Sequence, residues 1–190
     1  VEETDGIPTN NETVLHSLRV YAFVDGQPAG HFYTKDGLDV NNPSFLMHLT
    51  MYSTMTQKVD FYVVANEAAM ETPGSSVLLT ENTTETQLNH FTFTKLNTSK
   101  GLPMFCKQTE TIDLTQLSDK TPADPGHAGH TLLRQDLTFE LKRPIGKLGV
   151  FAAKPVGENS SLRVTGLTVL ASGTRTRNYL MPQTDETLKA

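Results

Sequence analysis

The run Val59-Asp60-Phe61-Tyr62-Val63-Val64-Ala65-Asn66 is apolar on both faces for most of its length. A strand of that kind has to be covered on both sides, which puts it at the centre of a sheet inside a core. The rest of the chain is patterned to build around it. In Leu18 to Val24, residues Leu18, Val20, Ala22 and Val24 share one face while Arg19, Tyr21 and Phe23 share the other. Asp25-Gly26 then reads as a tight turn, and Gly30 to Thr34 as the returning strand of a hairpin. Leu137, Phe139 and Leu141 alternate with Thr138, Glu140 and Lys142, and the run resumes as Lys147 to Ala153 after Pro144, which cannot donate to a ladder. Further strands are expected over Phe45 to Met55, Thr109 to Leu114 and Leu162 to Leu170, with a short helix around Thr84 to Phe91.

Turn clusters separate these runs, and helical periodicity is almost absent. Lys35 to Pro43 carries Asp-Gly and Asn-Asn-Pro, and Ser118 to Gly129 carries two Pro and two Gly. Threonine, a strand former that sits well on a pleated surface, occurs 27 times. The fold class this predicts is all-β: an antiparallel β-sandwich of seven or eight strands, with Phe61, Val63, Phe139 and Val164 in its core. Residues 1–17 read as a flexible N-terminal arm, 18–182 as one sandwich domain and 183–190 as a tail or the start of a second domain.

Composition and motifs narrow the function by exclusion. The 16 basic residues are scattered against 21 acidic ones with no aromatic-interleaved patch, which argues against nucleic acid as a partner. No apolar stretch reaches the roughly 20 residues that span a bilayer as a helix. Cys106 is the single cysteine, so no intrachain disulfide forms, and its Met-Phe-Cys-Lys setting favours a buried apolar role over a reactive thiol. His127 and His130 are the tempting metal pair, but Pro125, Gly126 and Gly129 keep that segment from being a helix. No further ligands stand at a usual spacing, so a solvated loop is the better reading. No nucleophile elbow, phosphate loop or dinucleotide fingerprint is present, and no catalytic residue, cofactor or metal is expected. Arg175 and Arg177 lie in a Ser-Gly-Thr context, read first as an exposed strand end or linker and second as a protease-sensitive site.

Several of these strings, in order, resemble the N-terminal domain of the fimbrillins, the subunit family of type V pili. Leu18-Arg-Val-Tyr-Ala-Phe-Val24 followed by Asp25-Gly26 is similar to that family's opening strand, and Phe61-Tyr-Val-Val-Ala-Asn66 to its central one. Leu102-Pro-Met104 matches a shorter element, and Leu141 to Val150 resembles a later strand, with Pro144 and Gly146 as departures. Leu162 to Leu170, followed by Asn178-Tyr-Leu-Met-Pro182, fits the close. The resemblance implies transthyretin-like β-sandwich domains, export as a lipoprotein precursor, and a place on the outer membrane and cell surface of Gram-negative anaerobes. It also implies cell adhesion and assembly by strand exchange after a protease removes the first strand. The implied partners are other pilus subunits and host or bacterial surface ligands, with the membrane reached only through a lipid anchor. The family has a second domain, so Ala190 reads as a truncated or cut end, and Val1 as a processed or shortened start.

Strand exchange has a physical motive in the sequence. Leu18 to Val24 and Leu162 to Leu170 are long and apolar, while the polar arm Val1 to Thr13 has no pattern fit to cover either. An uncovered edge exposes N–H and C=O groups and invites another strand. The expected donor-strand groove is therefore lined by Leu18, Val20, Leu162, Val164, Leu167 and Val169, with the donor beside Leu162 to Leu170. The alternatives are a pilus anchor or tip subunit, or a surface lipoprotein that binds ligands through its loops.

Overall fold

In the computed structural model of the chain, the described residues are 14–35, 45–72, 78–116, 133, 135–145, 168 and 177–183. They form eight strands: β1 Leu18–Val24, β2 Gln27–Thr34, β3 Thr56–Ala65, β4 Met70–Glu71, β5 Thr92–Phe93, β6 Lys95–Leu96, β7 Met104–Asp113 and β8 Asn178–Tyr179. One short helix, α1 Glu85–Asn89, lies between β4 and β5. Four strands build the main antiparallel sheet in the order β2-β1-β3-β7, and the two-residue strands pair as β4–β6 and β5–β8. The molecule is all-β, consistent with a sandwich. The eight strands are not one for one the eight expected, because four of them are only two residues long.

The local causes are legible. Asp25 and Gly26 both adopt positive φ, at 49° and 75°, the conformation a two-residue hairpin loop needs to match the strand twist. This tight turn lets pairing begin at Val24 with Gln27, so β2 starts three residues earlier than expected. Pro28 is accommodated by a register shift between Ala22 and Phe23. The helix α1 is set by a full capping box. The Thr84 side chain accepts the Gln87 N–H, and the Gln87 side chain accepts the Thr84 N–H at 2.8 Å.

Both faces of the main sheet are covered, as the apolar run of β3 demanded. On the first face, Leu18, Val20, Ala22 and Val24 meet Val59, Phe61, Val63, Cys106 and Ile112. On the second, Tyr21, Phe23, Tyr62, Val64 and Phe105 meet Leu88, Phe93, Leu180 and Met181. The rings of Phe23 and Tyr62 lie edge to face with centroids 5.6 Å apart.

Two expected strands are extended but barely laddered. From 45 to 53, residues alternate between half-buried and exposed, with Phe45, Met47, Leu49 and Met51 turned to the first face. The backbone bond this segment makes to β2 runs from the Thr50 N–H to the Ala29 carbonyl at 2.7 Å. Leu137, Phe139 and Leu141 are likewise half-buried on the first face, with the Phe139 ring 5.5 Å from Phe61. Phe139 thus lies against the core rather than inside it. The run over Thr109 to Leu114 begins five residues earlier, at Met104, because Phe105 and Cys106 each bury on opposite faces. The strands expected over Lys147 to Ala153 and Leu162 to Leu170, and Val164 with them, lie outside the described residues.

Candidate functional site

β1 is an inner strand: all seven of its residues pair with β2, and Leu18 to Phe23 also pair with β3. It therefore has no open edge. Leu18 and Val20 are buried in the first-face core, and what they offer is packing surface. Periodicity shows which face a side chain takes and is silent on strand order, which is why the sequence reading placed an edge here. Leu162, Val164, Leu167, Val169, Arg175, His127 and His130 lie outside the described residues. Arg177 is exposed and immediately precedes β8.

The edges of the sheet are β2 and β7. On the β2 side, Gly30 is closely approached by the segment around His48, whose backbone carbonyl would collide with any Cβ added at Gly30. On the β7 side, residues 135–142 run alongside in antiparallel sense. Phe105 and Lys142 exchange two backbone hydrogen bonds, 2.8 and 2.7 Å. Beyond that bridge the ladder stops. Side chains take over: Gln108 Nε2 donates to the Thr138 carbonyl at 3.2 Å, and Gln135 Nε2 to the Thr111 carbonyl at 3.1 Å. Since Phe105 bonds outward, alternation directs the backbone groups of Lys107, Thr109 and Thr111 outward too. Among the described residues, the N–H groups of these three have no backbone partner.

The end of β3 is closed by a buried polar clamp. Asn66 is fully buried with φ 55°, in the left-handed region. Its Oδ1 accepts from the His16 N–H at 2.7 Å and the Ser17 N–H at 3.4 Å. Its Nδ2 donates to the Val14 and Leu102 carbonyls, each at 2.9 Å. Residues 14–17, assigned to the arm by sequence, are thus tied to the sheet. Gly101, at φ 84°, passes so close that a Cβ there would sit 2.6 Å from Asn66 Nδ2.

Two further polar groups sit on the second face. Arg19 is buried and bonds Glu67 through Nε at 2.5 Å and Nη2 at 2.7 Å. Its Nη1 lies 2.9 Å from His31 Nε2, and the guanidinium stacks 3.9 Å from the Tyr33 ring centroid. Burial, and then the Arg19 charge, hold His31 below the usual imidazole range. At the other end, the Tyr62 hydroxyl donates to Glu85 at 2.7 Å. Burial and then that carboxylate push the phenol well up. This bond and the Lys107–Glu85 contact at 3.8 Å pin α1 to the sheet. Burial likewise pushes the Cys106 thiol up, in keeping with an apolar packing role. Among the described residues, no group of three or more His, Cys, Asp or Glu is placed to hold a metal, and no helix is long and apolar enough to cross a membrane.

Fold and edge together define an antiparallel all-β protein whose surface chemistry is that of an incompletely laddered sheet. No family model and no curated protein matches the chain. Among solved structures it is similar to a fimbrial assembly protein from Parabacteroides distasonis, at 20% identity and a TM-score of 0.42. The likeness covers 59% of this chain and 45% of that one, so the chain spans less than half the length of that neighbour.

Proposed function

We propose that the chain is a structural subunit of a cell-surface fimbria that assembles by accepting a strand from another subunit. A single observation carries the reading. The ten-residue strand β7 forms the edge of the main sheet, yet among the described residues its outward backbone meets the backbone of the adjacent segment only at Phe105, with the Gln135 side chain reaching the Thr111 carbonyl further along. A long edge in that state accepts an added strand, with ladder bonds for affinity and alternate side-chain sites for register. The family resemblance is supported by where its strings meet. Those in β1, β3 and the start of β7 are far apart in sequence, yet these strands are neighbours in the sheet, and Asn66 links two of the strings at Leu102. Export as a lipoprotein, a place on the outer membrane and adhesion to surface ligands belong to the same proposal.

Hydrogen exchange tests it. In the isolated chain the amides of Lys107, Thr109 and Thr111 exchange rapidly while those of β1 and β3 are protected. Adding a strand peptide from a partner subunit protects these three amides. It also raises the melting temperature with peptide concentration, as binding to the folded state requires, and a scrambled peptide does neither. Full protection of these amides in the isolated chain would close the edge and remove the basis of the proposal.

A further inference from the structure

One residue pair fixes the register that a ladder between β7 and the segment 135–142 would have. Phe105 and Lys142 exchange both of their backbone bonds. An antiparallel ladder continued from them would join Lys107 to Glu140, Thr109 to Thr138 and Thr111 to Asp136. In that ladder the Thr138 carbonyl accepts the Thr109 N–H, and the Thr111 carbonyl accepts the Asp136 N–H. Both carbonyls are taken by side chains instead. Gln108 Nε2 donates to the Thr138 carbonyl at 3.2 Å, and Gln135 Nε2 to the Thr111 carbonyl at 3.1 Å. One glutamine comes from each side of the gap. Gln108 is itself held, because its Oε1 accepts from the Cys106 thiol at 3.8 Å and its Nε2 also donates to Glu110. Laddered backbones lie about 4.8 Å apart, and a side-chain amide seated on the carbonyl occupies the space that the opposing N–H would enter. Leu137, Phe139 and Leu141 stay packed on the first face, so the segment is kept beside the edge without being zipped to it.

We infer that Gln108 and Gln135 are positioning residues that hold 135–142 off the outward backbone of β7, and so keep the chain from filling that edge with its own segment. The consequence for assembly rests on the reading of β7 as a strand acceptor: an edge zipped to 135–142 has no outward N–H left for a partner. The spacing of the two backbones does not depend on that reading.

The test is amide hydrogen exchange of the isolated chain in two double variants. Q108T/Q135T puts a good strand former, too short to reach across, at each position. Gln135 is exposed and Gln108 half-buried, so the fold should be retained. With both carbonyls released, the amides of Lys107, Thr109 and Thr111 should exchange about tenfold or more slowly than in the parent. Removing two bonds that merely stabilised the segment would have the reverse effect. Q108K/Q135K keeps a long donor at both positions and should exchange as fast as the parent. Unchanged or faster exchange in the threonine variant overturns the inference, as does slow exchange in the lysine variant, and in either case the open edge of the parent remains. Slow exchange already in the parent removes the open edge and the inference together. Because no partner strand enters the experiment, a failure of strand uptake leaves its outcome untouched.

Discussion

A carboxamide has both a donor and an acceptor end, and at Asn66 both are used, on two separate segments, residues 14–17 and the Leu102 loop, which are thereby tied to the end of β3. The same residue holds a left-handed backbone, which asparagine tolerates better than most side chains. Two effects can be separated by substitution. Asn66→Ala loses the side-chain bonds, leaves buried groups unpartnered and strains the backbone, at an expected cost of about 3 kcal/mol or more. Asn66→Gly loses the same bonds without the strain, and should be less destabilised than the alanine variant by about 1 kcal/mol in urea unfolding. Equal losses would show that the conformation at Asn66 contributes nothing. A second residue prediction concerns His31, whose Nε2 accepts from Arg19 and is therefore unprotonated. Its folded pKa lies below the ordinary value of about 6.5. Above that value both states are neutral and stability is complete. As pH falls through it, the unfolded chain takes a proton that the folded one refuses, and stability drops until the folded pKa is passed. The H31Q variant should show a smaller fall in melting temperature between pH 7.5 and 5 than the parent. Neither role was readable in the sequence: Asn66 ends a recognisable string and His31 sits in an expected strand, but their partners come from elements 12 to 52 residues away.

At the scale of elements, period-two alternation placed the side chains of β1 on the correct faces, and the two-faced apolar run of β3 gave it the central, doubly covered position. Asp25-Gly26 located the hairpin. What alternation leaves open is whether an extended run finds a ladder partner. The segments 45–53 and 135–142 both alternate inward and outward, as expected for Leu137 to Lys142, while most of their backbone stays out of the ladders. That difference predicts an asymmetry between two phenylalanines in contact. Phe61 is 2% exposed in a central strand, and Phe61→Ala should cost about 3–5 kcal/mol. Phe139 is half-buried on the loosely held segment, where neighbours can close over the gap, and Phe139→Ala should cost about 1–2 kcal/mol. Equal losses would make 135–142 a full fifth strand of the sheet in solution.

For the whole molecule, the sheet separates the work of folding from the work that we assign to its edge. Core residues on the two faces hold β1 and β3 from both sides, so the fold does not need the outer backbone of β7 for its stability. The inner backbone of β7 is committed to β3 along its full length, Met104 to Asp113. By alternation, Thr109 N–H points outward, away from β3. A proline there removes a donor that the isolated fold does not use, and its ring stands where an incoming strand must pack. Thr109→Pro also removes the hydroxyl that donates to Asp60, so the matched control is Thr109→Val, which loses that bond but keeps the N–H. Relative to this control, the proline variant should show only a modest drop in melting temperature, about 1–2 kcal/mol of stability. Its uptake of a partner strand, read as protection of the Lys107 and Thr111 amides, should vanish. The valine variant should take up the strand as the parent does. If Thr109→Pro unfolds the chain, the outward backbone of β7 is already engaged within the molecule. If it folds and still takes up the strand, the acceptor is not β7. In either case β7 is not an edge that accepts a partner strand.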